Sequence, residues 1–205
     1  VTSLSLDPVL AMRAAGGELH DVIICREENS ASPGDGGTFT VEFYEHVARH
    51  LNPEGIFAQQ VDLADYGALP LRSMLASLRT AFPSVVFMQT SSDKGLLLAS
   101  PGERIWMDES LARRAEAPHI RRLCSQVGWD WSVLLSLTST PPAEVEQLTA
   151  QSPVLSSSDG RFLCDFPVEV LRWGPKSYEL HMALAEHSSA LVSWLGPAST
   201  VGADG

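Results

Sequence analysis

Apolar and polar positions along residues 1–100 follow two rhythms, one of period two and one of helical spacing. In residues 21–25, DVIIC, Val22 to Cys25 form an unbroken apolar and mostly β-branched run. A strand covered on both faces reads this way. A loop dense in Ser, Pro, Asp and Gly follows over 26–38. In FTVEFYEHVARHL, Phe43, Val47 and Leu51 recur at helical spacing, and Thr38 or Thr40 can cap the start. NPEG ends that helix, and IFAQQV predicts a second strand. LPLRSMLASLRTAF places Leu71, Met74, Leu75, Leu78 and Phe82 on one stripe, closed by Pro83. SVVFMQT and GLLLAS predict two more strands; the link SSDK is short enough only for an antiparallel hairpin. Ahead of these, Leu6, Val9, Leu10 and Met12 predict a strand end and a helical turn, stopped by Gly16 and Gly17.

The order is strand, helix, strand, helix, strand, strand. Right-handed crossovers make the first three strands parallel, and the hairpin turns the last one back. The predicted fold class is α/β: the C-terminal half of a methyltransferase-like Rossmann fold, a mostly parallel sheet ending in an antiparallel strand. Residues 1–100 form this partial Rossmann-like domain. Residues 101–196 predict a mainly helical C-terminal extension. Its helices are DESLARRAEA, HIRRLCSQV, WSVLLSL, AEVEQLTA and an amphipathic one over 176–195 with Leu180, Leu184, Leu191 and Leu195 on one face. TSTPP separates the second pair, and one extended segment lies near 160–166. Residues 197–205 predict a disordered tail.

Composition narrows the function classes. With 205 residues, 44% of them hydrophobic, the chain can bury a sizeable core. A net charge of −11 argues against nucleic acid as a partner, because phosphate binding needs a basic stripe, and is compatible with a cationic ligand. No apolar run reaches the roughly 18 residues a membrane span needs. No signal peptide is visible, and the first residue is Val1, which suggests a fragment or a processed product. The cysteines Cys25, Cys124 and Cys164 are odd in number and show no metal spacing, as in a reducing, cytoplasmic compartment. His46 and His50 lack the acid of a zinc-hydrolase motif, so they read as helix-surface residues and no metal site is expected. No G-x-S-x-G elbow supports an acyl hydrolase. The tryptophans, mostly C-terminal, read as helix-docking side chains.

The run DVII, a polar loop, TFTVEFYEHVARHLNPEGIFAQQV, LRSMLASLRTAFPSVVF and LLLAS together resemble the spermidine synthase family. The likeness is to its divergent bacterial spermidine-synthase-like branch, whose members are often fused to membrane segments. It covers residues 5–100 and extends more weakly to SPVLSSSDGRFLCDF. The resemblance implies transfer of an aminopropyl group from decarboxylated S-adenosylmethionine to a polyamine. That donor is a co-substrate, and no tightly bound cofactor is expected. A homodimer is among the assemblies open to such a protein.

The family places its catalytic Asp directly after the DVII strand, in an Asp-Ser-Ser-Asp-Pro-like motif. Carried onto this chain, that position is Arg26, which cannot act as a base at neutral pH. Glu27 and Glu28 stand at the two serines, Asn29 at the second Asp and Ser30 at the proline. Glu27 or Glu28 would then be the base, and strand alternation lets at most one of them reach the crevice. By the same resemblance Gln59, Gln60, Asp62 and Asn29 border the amine, and Asp7 contacts the adenine end. The tyrosine-bearing loop of true synthases is reduced here to TSSDK. The Gly-rich loop and ribose-binding acid of the fold's nucleotide site are not among these residues; GDGG at 34–37 follows the wrong strand. Two other readings stay open: a catalytically inactive binding or interaction module of the same family, and an S-adenosylmethionine-dependent methyltransferase.

Overall fold

The apolar run at the start of the fold forms β1 (His20–Arg26), and among the described residues it occupies the edge of a six-stranded sheet ordered β1-β2-β4-β3-β5-β6. The computed structural model describes residues 8–14, 16–26, 35–63, 67–102, 114, 116–160, 168 and 178–190. The other strands are β2 (Leu51–Asp62), β3 (Ser84–Gln89), β4 (Lys94–Ser100), β5 (Thr138–Thr140) and β6 (Ser189–Ala190). The helices are α1 (Pro8–Ala14), α2 (Val41–Arg49), α3 (Ala68–Ala81), α4 (Pro118–Gln126), α5 (Trp131–Leu135), α6 (Pro142–Thr149) and α7 (residues 178–187).

This corrects one expectation from the pattern. β1 is not covered on both faces: Val22 is 56% and Ile24 72% exposed, and Cys25 alone is buried. An apolar run states that both faces can be covered; whether they are depends on what packs there.

β1 and β2 are parallel, β4 is antiparallel to both β2 and β3, and so β1, β2 and β3 run in one direction as the crossover rule requires. β4 inserts between β2 and β3, so among the described residues the ladders themselves are one parallel and four antiparallel. This is a methyltransferase-like Rossmann arrangement. Its return strand passes close to its neighbours: a side chain at Gly95 would collide with the buried Phe87 ring, so the smallest residue stands there.

The segment TSTPP, read as a spacer, supplies β5, which pairs with β3, while Ser189–Ala190 extends the sheet beyond it. The C-terminal region thus joins the sheet as well as adding helices. Strands of three and two residues are too short to leave a period-two signal. The final helix ends at residue 187, short of the expected 195, before β6. Leu180 and Leu184 are buried as the amphipathic pattern requires; Leu191 and Leu195 lie outside the described residues, as do DESLARRAEA, residues 161–166 and the tail.

The helices α2 and α3 cover one face of the sheet and build the core there. Phe57 is its centre, stacked on Phe82 with ring centroids 6.1 Å apart and edge-on to Phe43 and Tyr44. Of the two candidate caps, Thr40 is the one used: its hydroxyl accepts from the Phe43 N–H at 3.4 Å. α3 is buried almost all round, and its serines allow close approach: Leu155 N–H donates to Ser77 Oγ at 2.8 Å. α6 is tied to α3 through Arg79, which pairs with Glu146 at 3.0 Å and donates to Thr149 at 2.9 Å.

The polar turn over residues 156–159 is clamped to the start of α2. Glu42 accepts from the Ser156 hydroxyl at 2.6 Å and the Ser157 N–H at 3.0 Å. Partial burial works against its charge, but these two bonds, together with the Glu42 backbone N–H and the Ser157 hydroxyl, outweigh it and hold the carboxyl at about 2, below the ordinary 4.5. The folded-state value is the lower one. The clamp's contribution is therefore complete above about pH 4.5 and is lost as the pH falls towards 2. Across that window the melting temperature of the wild type is expected to fall more steeply than that of Glu42→Gln. Parallel acid profiles would show that the clamp adds nothing to stability.

Candidate functional site

Ligands of open α/β sheets gather at the carboxyl ends of parallel strands. In this chain those ends belong to β1 and β2, where Cys25 pairs with Gln59 and Arg26 with Gln60. Side chains alternate between faces along a strand, and directly paired residues share a face. The two adjacent glutamines therefore point opposite ways.

Gln59 points into the helix-covered core and is fully buried. Its Oε1 accepts from the Tyr44 hydroxyl at 2.8 Å. Its Nε2 donates to the Thr38 carbonyl at 3.3 Å and lies 3.9 Å from the Cys25 sulfur. The polar knot joins β1, β2, α2 and the 3-10 turn Asp35–Phe39 that leads into α2. Burial of an amide is tolerable here because both ends are hydrogen-bonded.

Gln60 is half-buried on the opposite face, beside Arg26 on β1 and Leu96 on β4. Asp62, also half-buried, is the next residue of β2 on that face, paired with Lys94 of β4. Val22 and Ile24 continue the same face along β1. Arg26 is exposed, and among the described residues neither its guanidinium nor the Gln60 amide makes a side-chain hydrogen bond or ion pair.

Of the residues the resemblance assigns, Gln60 and Asp62 thus come together, and Gln59 is turned to the other side of the sheet. Glu27, Glu28, Asn29 and Asp7 lie outside the described residues. Two participants were missed. Lys94 enters through β-sheet register, which local pattern does not contain. Tyr44 was detectable in part: a tyrosine on the apolar side of a helix needs an acceptor for its hydroxyl, and Gln59 sits in an apolar strand.

A cavity of about 710 Å³ lies elsewhere, lined among the described residues by side chains of the α4–α5 region such as Arg121, Arg122, Cys124 and Trp129. None of its described lining residues belongs to β1, β2 or β4, so it is separate from the strand ends. Among the described residues no cluster of three or more His, Cys, Asp or Glu could hold a metal ion. No described helix is long and apolar enough to cross a membrane.

No protein-family model matches the chain, and no curated protein matches it. Among solved structures it is similar to the crystal structure of a probable spermidine synthase from Corynebacterium glutamicum, with 17% sequence identity and a TM-score of 0.50. The match covers 73% of this chain and 51% of that one, so the chain spans about half the length of the structure it matches. At this identity the likeness is one of fold: the chain has a spermidine-synthase-like, methyltransferase-type Rossmann architecture.

Proposed function

We propose that this chain carries the amine-acceptor side of a spermidine-synthase-like aminopropyltransferase. The observation that supports the reading is the common face of Gln60 and Asp62 at the carboxyl ends of β1 and β2. Decarboxylated S-adenosylmethionine is the co-substrate, and the setting is cytoplasmic polyamine synthesis. The acceptor nitrogen attacks the methylene carbon bonded to the sulfonium. A C–N bond forms and the C–S bond breaks. Its electron pair stays on sulfur, so methylthioadenosine leaves as a neutral thioether. The acceptor's proton passes to a base, for which the resemblance offers Glu27 or Glu28, one and two residues past β1 in the sequence. Asp62 attracts and orients the ammonium, and orientation supplies much of the remaining rate because the sulfonium is already a good leaving group.

One observation favours a second reading, a non-catalytic module of the same fold. Arg26, a guanidinium side chain, occupies the position that the resemblance gives to the catalytic carboxylate. The full-length protein, incubated with decarboxylated S-adenosylmethionine and a panel of diamines and carboxylated amines, separates the two. Methylthioadenosine release is expected, abolished in the Glu27→Gln, Glu28→Gln double variant and reduced about tenfold in kcat/KM by Asp62→Asn, the worth of one charge-assisted contact. A folded protein that binds these amines yet releases no methylthioadenosine from any of them is the non-catalytic module.

A further inference from the structure

Arg26 is more than the loss of a base. It stands directly beside Gln60 in the parallel β1–β2 pair, at a strand spacing of about 4.8 Å. Both side chains are turned away from the helix-covered face, and among the described residues both lack a side-chain partner. Asp62 follows two positions along β2, roughly 6.5 Å away on the same face. The strand ends therefore present, in order, a guanidinium, an amide and a carboxylate, the last with Lys94 at the paired position of β4. A free diamine carries positive charge at both ends, and one end would meet Arg26. A molecule with a carboxylate at one end and an amine at the other matches the sequence of charges. A guanidinium takes a carboxylate with two parallel N–H donors, and the neighbouring Gln60 amide can add a third. Asp62 then receives the amine.

We propose that the acceptor is a carboxylated amine of amino-acid type, its carboxylate held by Arg26 and Gln60 and its amine directed at Asp62. The assignment rests on the aminopropyl-transfer reading above and narrows its substrate class from a free polyamine. Ornithine and putrescine test it, because they differ only by the carboxylate. Calorimetric binding and methylthioadenosine release are measured for both with the full-length protein, the Arg26→Gln variant and the Arg26→Lys variant. Thermal melts establish that the exposed substitution leaves the fold intact. The expected result is a preference for ornithine of about tenfold or more, the discrimination one bidentate charge-assisted contact supplies. Arg26→Gln should abolish that preference without weakening putrescine, and Arg26→Lys should restore part of it. A preference for putrescine, or an ornithine preference unchanged in Arg26→Gln, would overturn the assignment. Equal release of methylthioadenosine from both amines would sink it while leaving aminopropyl transfer standing. Arg26-dependent ornithine binding with no release from either amine would uphold the carboxylate site and remove the transfer reaction.

Discussion

Phe57→Ala is expected to lower the unfolding free energy by about 3–5 kcal/mol, the usual cost of emptying a buried phenylalanine site. The ring is 0% exposed. It stacks on Phe82 and meets Phe43 and Tyr44 edge-on, so truncation removes packing with α2, with the end of α3 and with the sheet at once. Tyr44 cannot freely collapse into the hole, because its hydroxyl is held by Gln59. Domains of this size are stable by only about 5–15 kcal/mol, so the variant should melt far below the wild type or fail to accumulate. Urea unfolding measures the effect. The comparison variant is Ile24→Ala, whose side chain is 72% exposed and whose loss should change stability by no more than about 0.5 kcal/mol. A loss below about 1 kcal/mol at Phe57 would mean that the core is centred elsewhere.

The second large effect separates two neighbouring residues of the same type. Gln59→Leu should destabilise by about 1–3 kcal/mol, whereas Gln60→Leu should stay within about 0.5 kcal/mol. Leucine at 59 nearly preserves the volume but withdraws the acceptor from the Tyr44 hydroxyl and the donor from the Thr38 carbonyl, both inside a core that water does not reach. The double variant Gln59→Leu, Tyr44→Phe should recover part of the loss, because removing both partners of a buried hydrogen bond costs less than removing one. The ordering reverses for ligand binding. Gln60→Leu should weaken the carboxylated acceptor, and Gln59→Leu should act on binding only through the fold. Chemical denaturation and calorimetry on the same four proteins would expose a failure of either half. Equal destabilisation at 59 and 60 would contradict the assignment of faces.

Much of the fold was legible from local pattern. The stripe Leu71, Met74, Leu75, Leu78 is the buried side of α3, and the SSDK link does form a hairpin turn. Thr40 caps α2 because a threonine just ahead of an apolar helical period has its hydroxyl where the first N–H groups point. The excursion NPEG was readable as a break, yet it is absorbed into β2 as a shift of register between His20 and Val22. Less of the site was legible. The resemblance brought both glutamines and Asp62 to the strand end, but it could not separate Gln59 from Gln60, since each is polar and each follows an apolar run.

The main elements of residues 20–100, their order, and the common direction of β1, β2 and β3 belong to the amino-acid sequence alone, because helix period, caps, turn lengths and crossover handedness act over a few residues or a single connection. The exposed edge of β1, the insertion of β4 between β2 and β3, the recruitment of Thr138–Thr140 into the sheet, and the opposite fates of Gln59 and Gln60 belong to the tertiary structure. Each depends on which strand lies beside which. That choice is made by contacts between residues far apart in the chain, where a one-residue change of register exchanges the buried face for the open one.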